Sequence, residues 1–332
     1  MNLPARFPGA LLLVLGGLSL AVLRPPAGEA APHKATGLRR AWARVDSLAR
    51  AGRWEQVLAA GDSLQDDPRL DTELTWRLHQ VLGLAARKLG RDQEALAHLE
   101  KAVLWGPSVP ENHRNLASLL MALGRKGRAL SEYAEACQVA PDDPQCRVDL
   151  ANARMDLGLL DAARRSLDRA RELAPHDPAV LRAEARWNLL AGREAAAAAP
   201  LRLLLDATGD RLARRQLALV LLHTGRPDSA AALYVAVRRE TLDATEQRLL
   251  LEVDRARGDP GYALRLAGLP DDSLSASPAF ADPDLWATAA MVCLETGHPG
   301  LSVRLWDRAL ALDPDNAVYR NNRRVAAERR RR

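Results

Sequence analysis

Histidine and cysteine are the residue types in this sequence best suited to metal binding or nucleophilic chemistry. The chain contains seven histidines and three cysteines, and the histidines are scattered along it. His79 and His113 are spaced so that they could lie near each other, but two histidines without a third ligand make a poor metal site. We therefore expect these rings to pack between helices, and we predict neither a metal nor another cofactor.

The three cysteines are Cys137, Cys146 and Cys293, which are too few for a disulfide framework. Cys137 and Cys146 are close enough in sequence to pair in an oxidising compartment. Unpaired cysteines are commonly buried as small apolar residues. We favour that interpretation for all three and leave the pairing open.

The short motifs of common catalytic chemistry are missing from this sequence. It contains no phosphate-binding loop, no dinucleotide-binding glycine pattern, no zinc-protease helix and no serine nucleophile elbow. We predict that the protein is not an enzyme. Aspartate-rich turns at 141–144 and 312–316 could suggest cation ligands, but we expect their Asp and Asn side chains to cap the helices that follow.

The formal net charge of +5 comes from one short segment. Residues 321–332 contain six arginines and one glutamate, and the rest of the chain is neutral. A neutral body lacks the basic surface of a nucleic-acid-binding domain, so we predict no nucleic-acid partner. The arginine-rich segment could bind an anionic surface or an acidic partner. We expect it instead to be the end of a helix, where cations interact favourably with the helix dipole.

The N-terminal segment has the pattern of an export signal. Arg6 precedes an apolar run at 9–23, and small residues follow at Gly28 and Ala30. This pattern predicts a signal peptide over 1–30, cleaved after Ala30. The apolar run is shorter than the ~20 residues of a typical membrane span; the alternative is an uncleaved anchor that tethers the protein through residues 9–23. We expect a protein that is exported to the periplasm or beyond, or anchored in the membrane.

The elements that position these residues follow from a repeated pattern of small side chains. Intervals of 34 residues separate the glycines Gly90, Gly124, Gly158 and Gly192, and intervals of 33 lead on to Gly225 and Gly258. An alanine follows each of the first five of these glycines by five residues, and Leu or Tyr follows that alanine by four. Glycine ends a helix at no steric cost, small residues let a second helix pack closely, and proline ends that helix. The spacing therefore predicts a series of antiparallel helix pairs.

These residues resemble the tetratricopeptide repeat (TPR) family, most closely at 81–107, 115–141 and 149–175. The resemblance extends over about residues 38–316. It implies an all-α fold, an α-solenoid in which stacked antiparallel helix pairs form a right-handed superhelix.

The resemblance also implies a domain organisation. A divergent N-terminal helical hairpin is expected at 31–75, a TPR-like array at 76–316, and an Arg-rich capping helix at 317–332. We expect Pro200 to kink or end the second helix of its unit, and the second helix after Gly258 to be short. The expected units of the array are 76–109, 110–143, 144–177, 178–210, 211–243, an irregular 244–282, and 283–316.

In proteins with such repeats, the first helix of each pair lines a concave groove that holds partner peptides. We predict that this groove is net basic with apolar patches that include Leu219, and that acidic residues such as Glu252 interrupt it. Arginine suits the recognition of carboxylates, although an ordinary solvated surface is the alternative. The carboxylate-binding set of some family members is incomplete here, because Asp149 stands at a position that is Asn in those members. The predicted partner-binding residues are Arg77, Arg87, Arg114, Asn152, Arg182, Arg186, Arg215 and Arg248.

The sequence thus predicts a non-enzymatic scaffold that binds a peptide or protein partner in this groove and serves envelope assembly. The alternative is a recruitment module of a larger enzyme or carbohydrate-processing complex. The oligomeric state stays open.

Overall fold

The computed structural model describes residues 35–237, 242–268 and 278–331. The predicted signal segment and the apolar run at 9–23 lie outside this part of the chain. Throughout the described ranges the secondary structure is helical, with seventeen α-helices, one short 3-10 helix at Pro278–Ala281 and no strand. None of the described helices has the length and apolar character that a membrane span requires. The all-α class predicted from the sequence is confirmed.

The chain divides into two compact units, a first unit of Met1–Leu173 and a second unit of Ala174–Arg332. Each unit is a stack of antiparallel helix pairs. The pairs of the first unit are α1 (Ala35–Arg50) with α2 (Trp54–Gln65), α3 (Thr72–Lys88) with α4 (Asp92–Trp105), α5 (Pro110–Ala122) with α6 (Lys126–Val139), and α7 (Pro144–Asp156) with α8 (Leu160–Leu173).

The second unit has the same kind of helix pairs and ends in a single helix. Its pairs are α9 (Pro178–Leu190) with α10 (Glu194–Thr208), α11 (Arg211–His223) with α12 (Pro227–Ala232), α13 (Ala244–Arg257) with α14 (Gly261–Ala267), and α15 (Pro283–Glu295) with α16 (Pro299–Leu312), followed by α17 (Ala317–Arg331). The predicted C-terminal helix is therefore present as α17, which buries Tyr319 and Ala326.

Small side chains hold the two helices of each pair together, as their spacing predicts. The second-helix alanines Ala95, Ala129, Ala163, Ala197 and Ala230 are all completely buried. Facing positions on the first helices are also small and buried: Gly83, Ala117, Ala151, Ala185 and Ala218. A Cβ atom added to Gly83 would lie 2.7 Å from the Leu99 side chain. At this point α3 and α4 are therefore too close for a larger residue than glycine. The three cysteines are free and buried in this core, as favoured from the sequence.

The repeated glycines end the first helices in the left-handed conformation. Gly158, at the end of α7, has φ +73°, and the equivalent glycines of the other repeats have φ between +66° and +84°. A residue with a Cβ adopts this conformation at a cost of roughly 1–2 kcal/mol. The repeat period of the sequence is thus set by a backbone requirement at each turn.

We expect Gly158→Ala to lower the free energy of unfolding by about 1–2 kcal/mol, because the added Cβ strains the turn at positive φ. Gly127→Ala is the matched control: Gly127 lies inside α6, lacks a positive φ, and has open space around its Cβ position. There the same change should raise stability by up to about 1 kcal/mol. Urea unfolding followed by circular dichroism measures both, and equal effects at the two sites would contradict the assignment.

Aspartates begin most of the first helices, as the turn sequences predict. Asp143 accepts a hydrogen bond from the Gln145 amide at the start of α7, and Asp177 accepts from the Ala179 amide at the start of α9. Asn316 does the same at α17 through the amide of Val318. These side chains accept hydrogen bonds from backbone amides that have no partner within the helix. They therefore act as helix caps, as expected, and not as cation ligands.

Two details differ from the sequence-based expectations. We expected Pro200 to kink its helix or to end it, and the second alternative is wrong, because α10 continues through Pro200 to Thr208. The proline removes only the hydrogen bond to the Ala196 carbonyl, while Leu201 and Leu204 beyond it are buried and hold the helix in place. Helix α12 has only six residues, whereas the sequence predicted a short second helix only after Gly258. The predicted short second helix after Gly258 is present as the seven-residue α14.

Candidate partner-binding face

The first-helix face is our name for the exposed side of the first helix of each repeat, formed by α3, α5 and α7 in the first unit and by α9, α11, α13 and α15 in the second. All eight predicted partner-binding residues lie on these helices. The contacts of their side chains are given separately for the two units.

In the first unit, the arginines of this face contact neighbouring helices. Arg87 on α3 donates a hydrogen bond to the Ser118 hydroxyl on α5 (3.1 Å), and Arg114 on α5 forms an ion pair with Asp149 on α7 (2.7 Å). Both arginines therefore link consecutive first helices. On its own helix, Arg77 pairs with Glu73 at 2.7 Å and lies over the Trp76 ring. Asn152 is half-buried on α7.

In the second unit, the arginines follow a regular scheme. Arg182 pairs with Asp210 at 3.1 Å, Arg215 lies 3.9 Å from Asp243, and Arg248 pairs with Asp282. Each aspartate is also the capping residue of the next first helix. Arg186 is half-buried on α9. Each of these three first helices thus places at least one arginine beside the acidic cap of the following repeat.

The Asp210 carboxylate shows how these contacts act on ionisation. Burial opposes its charge, but hydrogen bonds from the Arg182 side chain and from the amides at the start of α11 outweigh burial, and the pKa of Asp210 is lowered. The arginine and the helix terminus therefore both favour the ionised aspartate. Because Arg182 is half exposed, such a pair contributes at most about 1 kcal/mol to stability.

A depression of about 370 Å³ lies on the first-helix face of the second unit, between α11 and α13. We call it the α11–α13 depression. It brings together two of the predicted residues, Arg215 and Arg248, with Leu219 and Glu252, which the sequence placed on the same surface. The remaining lining residues are Ala244, Thr245 and Leu249.

The Arg215 guanidinium has N–H groups available to bind a partner in this depression. Its distance of 3.9 Å from Asp243 is long for an ion pair, and Asp243 is also contacted by Arg211 at 3.3 Å. The Arg211 guanidinium in turn donates to the fully buried Glu246 at 2.7 Å. The charge of Asp243 is therefore shared, and the five donors of the Arg215 guanidinium are not all used.

Sequence reasoning missed the aspartates that face these arginines and three of the lining residues. Asp243 and Asp282 were recognisable as helix caps, but their second contact depends on how one repeat packs on the next. The spacing holds a usable signal, since Arg215 and Arg248 are 33 residues apart and Asp210 and Asp243 are 33 residues apart. An arginine and an aspartate that recur with the same period indicate a contact between repeats.

His79 and His113 each contact the second helix of their own repeat. His79 Nδ1 lies 3.1 Å from His98 Nδ1, and the two rings stack. Burial, followed by the charges of His98 and Lys101, lowers the pKa of His79 to about 4. One repeat later, His113 occupies the same position and contacts Glu132 at 2.8 Å. Across the described residues, no cluster of three or more His, Cys, Asp or Glu side chains forms a metal site.

We expect Glu132→Gln to destabilise the protein more at pH 6 than at pH 9. The Glu132 hydrogen bond raises the pKa of His113 above 6.5 despite burial. The stabilisation is therefore complete below pH 6.5 and is lost as the pH rises through the raised pKa. The expected loss at pH 6 is on the order of 1 kcal/mol. Urea unfolding at both pH values measures it, and a pH-independent cost would show that the imidazolium–carboxylate pair does not form.

The helix pairs, the turn glycines and the first-helix face define the chain as an α-helical repeat protein of the solenoid class. Sequence profiles described as tetratricopeptide repeat match residues 81–144 and 127–186. Residues 81–186 of the chain therefore consist of tetratricopeptide repeats, as the pattern of their glycines and alanines indicates. No curated protein matches the sequence.

Several solved structures share this fold. The chain is similar to a tetratricopeptide repeat protein from Parabacteroides merdae ATCC 43184, at 14% identity over 87% of this chain and 98% of that one, with a TM-score of 0.51. It is also similar to the C-terminal part of a TPR repeat-containing protein from Cytophaga hutchinsonii (13% identity, 84% and 97% coverage, TM-score 0.53). A third similar structure is that of PilF from Pseudomonas aeruginosa, at 19% identity over 62% of this chain and 96% of that one, with a TM-score of 0.50. At these identities the likeness establishes the fold alone.

Proposed function

We propose that this protein is a non-enzymatic scaffold that binds a peptide or protein partner on its first-helix face and serves the assembly of an envelope complex. Tetratricopeptide repeats are protein–protein interaction modules, so the general class follows from the fold. The proposed binding site rests on one observation, which is the α11–α13 depression with its two arginines and its leucines.

The depression fits a peptide segment that carries an aliphatic side chain next to an acidic one. Leu219, Leu249 and Ala244 supply apolar surface, and a cavity of about 370 Å³ falls within the range of about 300–1,000 Å³ typical of ligand pockets. Arg215 and Arg248 lie on either side and suit a carboxylate. An aliphatic side chain would bury its surface in the depression while its acidic neighbour pairs with an arginine.

A carboxylate that binds to Arg215 would replace only a weak contact of this arginine with Asp243. The contact to Asp243 is long, the Arg215 side chain is about one-third exposed, and exposed ion pairs contribute roughly 0–1 kcal/mol. Glu252 lies on α13, on the same wall of the depression as Arg248, and it would repel a second acidic residue of the peptide placed beside it. The expected peptide therefore has a single acidic side chain, which pairs with Arg215.

A displayed random-peptide library tests this proposal. Selection on the full chain should enrich peptides with an aliphatic residue adjacent to Asp or Glu, and Arg215→Ala/Arg248→Ala should weaken their binding at least tenfold. Arg202→Ala/Arg329→Ala is the matched control, because it removes the same charge from exposed positions on α10 and α17. No enrichment, or equal binding by both double variants, would refute the proposed site.

Export is a separate part of the proposal, supported by the apolar run at 9–23 that follows Arg6. Intact-mass measurement of the protein from fractionated cells tests it. A mature chain that begins after Ala30 in a soluble envelope fraction supports cleavage, and a full-length chain in the membrane fraction supports anchoring through 9–23. Recovery of a full-length chain only from the cytosol would contradict both.

A further inference from the structure

A second depression lies at the far end of the second unit, where α17 packs against the start of α16. Its volume is about 510 Å³, and it is lined by His298, Gly300, Leu301, Arg304 and Arg330. These residues belong to α16, to the residue that precedes it and to α17, and none of them is on the first-helix face. We call it the α16–α17 depression.

The two arginines of this depression differ from their neighbours on the same helices. Arg323 on α17 pairs with Asp307, and Arg308 on α16 donates to the Leu266 carbonyl at 2.9 Å. Among the residues that the structure describes, Arg304 and Arg330 have no acidic partner, and both side chains are exposed. The lining contains no carboxylate, so the cavity holds two uncompensated positive charges.

The Arg330 side chain lies beside Gly300. A Cβ added at Gly300 would lie 3.8 Å from Arg330 Nε and 3.9 Å from its Cδ. The Arg330 side chain therefore lies next to the first turn of α16. The imidazole of His298 lies in the same wall and adds a hydrogen-bonding group.

We propose that the α16–α17 depression is a binding site for a phosphate group. Two guanidinium groups around one cavity can provide several charge-assisted hydrogen bonds to a doubly charged oxyanion, and arginine is well suited to phosphate. Because no carboxylate lines the depression, no acidic side chain of the lining would repel a bound phosphate. The phosphate could belong to free phosphate in solution or to the headgroup of an anionic lipid, since both present the same chemistry.

Isothermal titration of the full chain with inorganic phosphate, at constant ionic strength set with chloride, is the primary experiment. Wild-type protein should bind saturably, and Arg304→Gln/Arg330→Gln should weaken binding at least tenfold. Arg329→Gln/Arg331→Gln is the matched control, because it removes two charges from the same end of α17 without changing the lining. The control should retain affinity within about twofold.

Gly300→Asp keeps the test informative if the arginine variants lose stability. Position 300 is in the first turn of α16, where a carboxylate interacts favourably with the helix dipole, and it faces Arg330. This variant should be at least as stable as wild type in thermal unfolding and should still lose phosphate binding. A stable Gly300→Asp protein that binds phosphate normally would overturn the proposal.

Sedimentation with vesicles separates the two sources of phosphate. Binding to phosphatidylcholine vesicles that contain phosphatidic acid, lost in Arg304→Gln/Arg330→Gln and in Gly300→Asp, would identify a lipid headgroup. Titration with phosphate but no vesicle binding would identify a soluble ligand. If neither probe binds, or if the Arg329→Gln/Arg331→Gln control loses binding equally, the depression is not a phosphate site.

Discussion

Trp286→Ala should lower the free energy of unfolding by about 4 kcal/mol, the largest effect that we expect from a single substitution. Trp286 is completely buried in the core of the second unit. Its ring packs against Phe280, with centroids 5.7 Å apart, and the Arg308 guanidinium lies 5.1 Å from the ring centroid. Its indole N–H donates to the Phe280 carbonyl at 2.9 Å. The substitution would therefore open a large cavity and leave a buried carbonyl without its donor.

Trp286→Phe separates these two contributions. Phenylalanine keeps most of the apolar volume but cannot donate a hydrogen bond, so we expect a cost of roughly 1–3 kcal/mol. Urea unfolding followed by far-UV circular dichroism measures both variants. A loss below about 1 kcal/mol for Trp286→Ala would show that this ring does not hold the segment at Pro278–Ala281 against α15.

Asp254→Ala should cost about 3 kcal/mol, because it removes a buried carboxylate that caps a helix from outside it. Asp254 lies on α13, and its Oδ2 accepts from the amides of Tyr262 and Ala263 at 2.6 and 2.8 Å. These are first-turn amides of α14, whose own capping position is occupied by Pro260, which makes no side-chain cap. Without Asp254, both amides would be buried and unpaired. Urea unfolding of the full chain measures the loss.

Asp254→Asn is the control for charge. Burial, which outweighs the two amide hydrogen bonds, raises the pKa of Asp254 above 3.8. The contribution of this group is therefore largest below pH 3.8 and decreases as the pH rises through the raised pKa. Asparagine does not titrate, so its cost relative to wild type should be smaller at pH 7 than at pH 3.5, and smaller than that of alanine. A cost equal to that of alanine at both pH values would contradict the capping role.

The helix pairs could be predicted from the sequence because the residues that specify them act locally. Gly158 ends α7 through its own backbone conformation, and Ala163 marks the buried side of α8. The short α12 could not be predicted from the same pattern. It ends at Ala232, before the β-branched residues Val235 and Val237, which have low helix propensity. Val235 is 79% exposed, so no burial compensates for that propensity.

The candidate site was predicted in part. Arg215 and Arg248 could be placed on first helices because the repeat period assigns each position to a face. Their pairing with Asp243 and Asp282 depends on the packing of consecutive repeats, which the pattern within one repeat does not specify. The α16–α17 depression depends on the position of α17, and no repeat in the sequence encodes it.

The arginine–aspartate pairs give the first-helix face two roles. Each pair joins a first helix to the cap of the next repeat, as Arg182 does with Asp210. The same arginines point to the surface on which a partner would lie. A bound carboxylate would therefore compete with contacts between repeats, and Arg215, with its long contact to Asp243, is where this competition is weakest.

Site-specific photo-crosslinking tests the central claim, that a partner docks on the first helices, most directly. Benzoylphenylalanine at position 245 would place the reactive group in the α11–α13 depression, because Thr245 is an exposed lining residue. The same group at position 203 would lie on the second helix α10, where Leu203 is 46% exposed. With a peptide selected on the wild-type chain, we predict a crosslink from position 245 and none from position 203. A crosslink from position 203 alone would contradict the account.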